Sequence, residues 1–217
     1  MSELETPITN LFIARHGQTH WNNENRIQGM LDSPLTSVGE QQASRLGQHL
    51  SGVNLDVIYS SSSSRALSTA RIVNSYQGTS CEVRKEDDLR EIGLGEWEGM
   101  KRTEVSKLYP SLQHTYFYDP ENFEPVGPGE TLLEVKERAV SVLTRILSEE
   151  KGKNILLVTH TAVIKILMAY FDGRPFSRLW NPPRVRPASL CHVSISVNGP
   201  EILKYADTTF LRPYRNQ

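Results

Sequence analysis

Residues Phe12–Asn22 read FIARHGQTHWN, and this stretch decides how the rest of the chain is to be read. The run Ile8–Ala14 has the short apolar character of a buried strand. It then stops, and Arg15, His16 and Gly17 follow at once. A core strand that ends on a guanidinium beside an imidazole delivers two polar groups to one edge of the molecule. Gly17 directly behind them is expected to let the backbone turn close to a bound group.

Working outward, strands and helices alternate. Residues 15–35 are polar and rich in Gly and Asn, and are expected to form a loop. TSVGEQQASRLGQHL has helical spacing through Val38, Ala43, Leu46 and Leu50, with Ser37 and Glu40 in the pattern of a capping box. LDVIYSS is a second short strand, and SRALSTARIVNSY a second helix whose apolar side holds Ala66, Leu67, Ala70 and Ile72/Val73. The serines Ser60–Ser64 fall at the turn between them. Cys81–Val83 is expected to be a short strand, and residues 93–130, rich in Gly, Pro and aromatics, to be irregular. TLLEVKERAVSVLTRILSEE is a long amphipathic helix with a capping box at Thr131 and Glu134. NILLVT is a third strong strand, a helix runs from Ala162 to Tyr170, and LCHVSISVNGPEILKYA reads as a hairpin around Asn198-Gly199. The alternation predicts an α/β fold, a three-layer sandwich with a mostly parallel central sheet flanked by helices. No repeat or linker divides it, so residues 1–217 are expected to form a single domain.

Composition narrows the partners. The chain has 217 residues, 24 basic and 25 acidic, for a net charge of −1. Nothing in that balance favours nucleic acid or an anionic membrane. Its longest apolar runs are too short and interrupted to span a bilayer. The opening MSELETPITN is acidic and polar, unlike a secretory leader. The two cysteines, Cys81 and Cys191, suit a reducing cytoplasm. Oligomeric state stays open.

Ligands in such folds gather at the carboxyl ends of the strands. The first strand is followed by Arg15 and His16, the second by Arg65, the short third by DLREIGLGEWEG with Glu91, and the long strand by His160. Two arginines, two histidines and a glutamate thus converge on one rim. Four potential cations need an anion, and phosphate matches the arginine fork. Backbone N–H groups at the helix starts after His160 and near Ser63-Ser64 are expected to extend the cradle. Several phosphate chemistries are missing from the sequence. There is no Gly-rich run ending in Gly-Lys-Ser/Thr. Cys81 has Asp87, not Arg, six positions on; no Asp-x-Asp follows a strand; no Gly-x-Ser-x-Gly is present. His16 and His20 are four apart, but Gly17 and Thr19 argue against the helix that a zinc pair would need. No metal or cofactor is expected. Histidine is left as the nucleophile.

ARHGQTHWN, GMLDSPLTSVGEQQA, IYSSSSSRALSTA, LREIGLGEWEG, GPGETLLEVKER and LLVTHTAVIK together resemble the histidine phosphatase superfamily, in the branch of cofactor-dependent phosphoglycerate mutases and their broad-specificity phosphatase relatives. The resemblance runs from about Ile8 to about Ala206. It implies that His16 is the phosphorylated nucleophile, that Arg15, Arg65 and His160 bind the phosphoryl group, and that Glu91 donates the proton to the leaving oxygen. Asn22 and, more weakly, Gln28 are implied as further phosphate contacts. The Gly17 carbonyl would accept the His16 Nδ1 hydrogen. Thr161 stands where relatives often carry Gly, and its N–H would still reach phosphate. Residues 93–130 would cap the site. The aromatic residues there (Trp97, Tyr109, Tyr116, Phe117, Tyr118, Phe123) against few basic ones (Lys101, Arg102, Lys107) point to an apolar leaving group. The expectation is a metal-independent phosphatase of small phosphate monoesters. The alternatives are a phosphoglycerate mutase and a non-catalytic phospho-ligand module. In WNPPRVRPAS, Arg184 and Arg186 either face the site or lie on a solvated connection.

Overall fold

The computed structural model describes residues 7–211. The acidic opening that argues against a leader therefore lies mostly outside the described residues. Six strands form one sheet: β1 (Thr9–Arg15), β2 (Val57–Ser61), β3 (Glu82–Glu86), β4 (Asn154–Thr159), β5 (Leu190–Ser196) and β6 (Gly199–Asp207). Their order is β3-β2-β4-β1-β5-β6. The first four are parallel, and the β5–β6 hairpin is added antiparallel at the β1 edge. The hairpin turns where expected, with Gly199 at φ +102°.

Period two explains the three layers. Leu11 and Ile13 of β1 join one apolar cluster while Phe12 and Ala14 join the other. Leu157 and Leu156 of β4 divide in the same way. A strand buried on both faces must read as a continuous apolar run, as these do. Helices α2 (Ser37–Leu50) and α3 (Ser64–Asn74) cover one face through Leu46, Leu50, Ala66 and Val73. Helices α6 (Leu132–Glu149) and α7 (Thr161–Asp172) cover the other. No described helix is long and apolar enough to cross a membrane.

Several local expectations need correction. Within 15–35 a short helix, α1 (His20–Asn23), is nucleated by a capping box between Thr19 and Asn22. The N-cap of α2 is Thr36, whose Oγ1 accepts the Gly39 N–H; Ser37 and Glu40 form no box, and Val38 faces solvent. Strand β3 starts one residue later and runs on to Glu86, because its pairing with β2 sets its length. The segment 93–130 is not irregular. It holds α4 (Arg102–Leu108) and α5 (Pro110–Tyr118). Pro110 opens α5 at a position where proline is tolerated, which explains why it does not break the helix. The apolar residues of α5 do not gather on one face, so periodicity gave no sign of it.

Candidate active site

The site begins where β1 ends. The His16 N–H donates to the Thr159 carbonyl at 3.0 Å, which fixes the residue against β4. Its ring is buried, and Nδ1 lies 2.7 Å from the Gly17 carbonyl oxygen. A carbonyl only accepts, so Nδ1 carries the hydrogen and Nε2 keeps its lone pair. Gly17 is not in a left-handed conformation. A Cβ there would meet the Gly39 oxygen at 2.4 Å, and one on Gly39 would meet the Gln18 oxygen at 2.0 Å. The glycines are needed because α2 packs backbone to backbone against the loop that carries His16.

Arg65 rises from the first turn of α3 and is buried. Its Nη1 donates to the Leu31 carbonyl (2.8 Å) and Asp32 Oδ1 (2.9 Å), and its Nη2 to the Gly29 carbonyl (2.9 Å). Arg15 Nη1 donates to the Val185 carbonyl at 3.2 Å. His160 Nε2 sits 2.8 Å from Ser61 Oγ and 3.1 Å from Ser63 Oγ. After these contacts each of the three residues keeps a buried nitrogen with no partner among the described residues: Arg15 Nε, Arg65 Nε and His160 Nδ1. Buried polar atoms are rarely left unpaired, so such a group asks for an acceptor. The two imidazoles face one another with centroids 5.2 Å apart.

The charges agree with that demand. Burial, then Arg15 and Arg65, hold the His16 imidazole well below its usual range. Burial, then Arg65 and His16, do the same to His160. Burial pushes Arg15 down to about 10, with Arg102, Arg65 and Arg184 adding to the effect and Glu91 opposing it.

Glu91 occupies an unexpected place. Its two carboxylate oxygens accept the N–H groups of Thr161 and Ala162, both at 3.1 Å, at the start of α7. The α3 start is likewise occupied, since Asp32 Oδ2 accepts from the Ser64 hydroxyl at 2.7 Å and from the Ser64 N–H. The helix N–H groups expected to cradle phosphate, Thr161's included, are therefore spent on carboxylates. The donors left without a partner are on side chains instead. Asn22 Oδ1 accepts the Thr19 N–H and Gln28 Oε1 accepts the Thr19 hydroxyl, which leaves their amide N–H groups to be presented. Thr19 holds the Asn22 and Gln28 side chains, and Ser61 and Ser63 bond His160 Nε2, contacts that the sequence analysis did not assign to these residues. Ser61 and Ser63 had one signal, their place in the serine run that ends β2.

Arg15, His16, Asn22, Gln28, Arg65, Glu91 and Thr161 all line one cavity of about 500 Å³. Its outer wall carries Trp97, Tyr116, Phe117 and Trp180. Of the other cap aromatics, Phe123 is buried behind Trp97, Tyr109 bonds Glu96 through its hydroxyl, and Tyr118 points to solvent. The wall is more cationic than the cap sequence indicated, because Arg26, Lys165 and Arg184 join Arg102 from other segments. Arg184 thus faces the cavity, while Arg186 is not among its lining residues. Lys165 had a readable signal, standing one turn after Thr161 on the same face of α7. Burial, then Arg174, lowers its ammonium to about 8. Among the described residues no group of three or more His, Cys, Asp or Glu gathers as a metal site would.

Comparison with known proteins gives the family and the fold. The model of the histidine phosphatase superfamily (branch 1) matches residues 11–208. The chain is 37% identical over 169 residues to phosphoglycerate mutase-like protein 4 of Arabidopsis thaliana, covering 77% of this chain and 72% of that one. It is 33% identical over 174 residues to phosphoserine phosphatase 1 of Hydrogenobacter thermophilus, covering 80% and 81%. Among solved structures, Bacillus stearothermophilus YhfR superposes with a TM-score of 0.89 at 37% identity, over 94% of this chain and all of that one. A match that starts inside β1 and ends at the end of β6 leaves one placement: the chain belongs to branch 1 of the histidine phosphatase superfamily.

Proposed function

We propose that the protein hydrolyses small phosphate monoesters through a phosphohistidine on His16, without a metal. The observation that carries this reading is the pairing of a free His16 Nε2 with the unpartnered buried nitrogens of Arg15, Arg65 and His160. Nε2 attacks phosphorus and the P–O ester bond breaks. Glu91 gives its proton to the leaving oxygen. It then takes one from water, whose oxygen attacks phosphorus and breaks the P–N bond. Inorganic phosphate leaves, and His16 and Glu91 return to their starting forms. The transition state spreads charge over the phosphoryl oxygens, so fixed cations supply most of the acceleration. Asn22 and Gln28 add amide donors, and Thr161 acts by holding Glu91.

The phosphatase reading draws support from the phosphatases among the relatives, and the superfamily also contains mutases. Broad specificity is part of the proposal, supported by a wall that mixes aromatic and cationic side chains. So is the single domain, with residues 93–130 as a cap, supported by Leu94, Trp97, Arg102, Gln113, Tyr116 and Phe117 on the cavity wall. A cytoplasmic setting suits the two unpaired cysteines.

The test is phosphate release from a panel of monoesters, 3-phosphoglycerate included, with EDTA present. Wild type is expected to turn over, and His16→Ala to lose about four orders of magnitude or more. Turnover that EDTA stops overturns the metal-free reading. Isomerisation of 3-phosphoglycerate without phosphate release returns the mutase, and phosphate binding without turnover returns the binding module.

A further inference from the structure

Glu91 does not stand on a helix or a strand. It follows a single 3-10 turn, Asp87–Leu89, and precedes an irregular stretch that runs into the cap. A carboxylate on such a segment can act reproducibly only if something holds the backbone. The holder is Arg138, which lies in the middle of α6 and outside the cavity lining. Its Nη1 donates to the carbonyls of Asp88 (2.7 Å) and Arg90 (2.8 Å), and its Nη2 to the carbonyl of Glu91 itself (3.2 Å).

The rest of the guanidinium is used on Glu130. Nε reaches Oε1 at 2.8 Å and Nη2 reaches Oε2 at 2.9 Å. A guanidinium has five N–H donors, and these bonds employ every one. Glu130 then holds the far side of the segment. Its Oε2 accepts the Gly93 N–H at 2.9 Å, and its own N–H donates to the Gly93 carbonyl at 2.8 Å. Asp88, Arg90, Glu91 and Gly93 are thus anchored to α6 and its approach by two residues that never meet the substrate cavity. The pair is only partly exposed, at 16% and 21% of the side chains, which keeps water from competing for these bonds.

We propose that Arg138 and Glu130 are positioning residues for Glu91, fixing the backbone that aims its carboxylate at the leaving-group oxygen. The inference rests on the reading of Glu91 as the acid. A role in acid delivery differs from plain scaffolding in one observable respect. It matters for leaving groups that need a proton and not for those that leave as stable anions.

The experiment compares kcat and KM for an alkyl phosphate and for p-nitrophenyl phosphate in wild type, Arg138→Gln, Arg138→Lys, Glu130→Gln, Glu91→Gln and the Glu91→Gln/Arg138→Gln double variant. Misplacement of a reacting group by about 1 Å costs on the order of 100-fold. Arg138→Gln is therefore expected to lower kcat for the alkyl ester about 10- to 100-fold while sparing p-nitrophenyl phosphate and KM. Arg138→Lys, with three donors, should not rescue it. In the double variant the Arg138 change should add little, because the group it positions is gone. Equal losses on both esters, or additive losses in the double variant, overturn the inference. If Glu91→Gln shows no leaving-group preference, the acid role falls and the inference falls with it; a preference in Glu91→Gln but not in the Arg138 variants overturns the inference alone. Glu130→Gln is nearly isosteric and tests the same selectivity if Arg138→Gln does not fold.

Discussion

Helices α3 and α7 start at equivalent places, each just past a parallel strand, and each has a carboxylate on its first N–H groups. What the two carboxylates do besides is different. At α3, Asp32 uses one oxygen on Ser64 and the other on Arg65. At α7, Glu91 uses both oxygens on backbone N–H groups and makes no ion pair among the described residues, yet it lines the cavity. Asp32 does not line the cavity. The first arrangement is closed: helix dipole, carboxylate and guanidinium neutralise one another, and Arg65 keeps Nε and one Nη2 hydrogen without a partner among the described residues. The second is open, since the carboxylate has no cationic partner among the described residues and faces the cavity. The same helix-terminus device thus braces a cation at one strand end and holds a cavity-facing carboxylate at the other.

That contrast can be broken or sharpened by experiment. The largest effect is expected from Glu91→Gln. Loss of a positioned acid should slow alkyl phosphates ~100- to 10,000-fold and p-nitrophenyl phosphate far less; equal slowing in steady-state assays would remove the distinction between the two ends. Asp32→Asn comes next. Misaligning Arg65 should lower kcat about 10- to 100-fold, equally for both esters, and cost about 1–3 kcal/mol in urea unfolding. A leaving-group preference in that variant would mean that Asp32, too, serves the proton transfer.

The α3 carboxylate and the two histidines also separate in pH. His16 and His160 are held low by burial and by the arginines. Below the ordinary imidazole value of ~6.5 the unfolded chain takes up protons that the folded chain refuses, so stability falls as pH drops through that value. Asp32 acts in the same sense, in a more acid window. Burial pushes its carboxyl up, but the Ser64 hydroxyl and Arg65 prevail and hold it low. Its contribution is present above the usual carboxylate range, near ~3.9, and is lost only at more acid pH. Tm is expected to be lower by about 5 °C at pH 5.5 than at pH 7.5. Inorganic phosphate should flatten that slope, because an anion favours the imidazolium forms. A flat profile without phosphate would contradict the burial of the two rings.

The smallest effect concerns Thr161. Its N–H holds Glu91, while its side chain is replaceable. Proline is tolerated at the first helical position, so Thr161→Pro deletes one donor and keeps α7. Turnover of alkyl phosphates should fall about tenfold or less, whereas Thr161→Ala stays near wild type. Equal rates in the two variants would show that the α7 contact is incidental.

Much of this was legible in the chain. The strands β1, β2 and β4 could be read because burial on both faces demands continuous apolar runs. His16, Arg65, Glu91 and His160 could be placed on one rim because parallel strands send their carboxyl ends to one edge. The tautomer of His16 was implied by the family resemblance, and its partner is a carbonyl one residue away. Local chemistry and topology suffice for such features, since each depends on neighbours in sequence or on the direction of a strand. Other features depended on distant partners. Gly17 looked like a turn residue and is instead a packing surface for Gly39. Thr161's N–H looked free for phosphate and is held by Glu91, 70 positions away. The cap looked poor in cations, yet Arg26, Lys165 and Arg184 reach the same wall from three other segments. Arg138 had no signal, because its targets are backbone carbonyls, which every residue possesses. Sequence by itself determined which chemical groups were present and which edge of the sheet received them. Tertiary structure decided how they were paired, because a hydrogen bond is chosen by distance and direction in the folded chain.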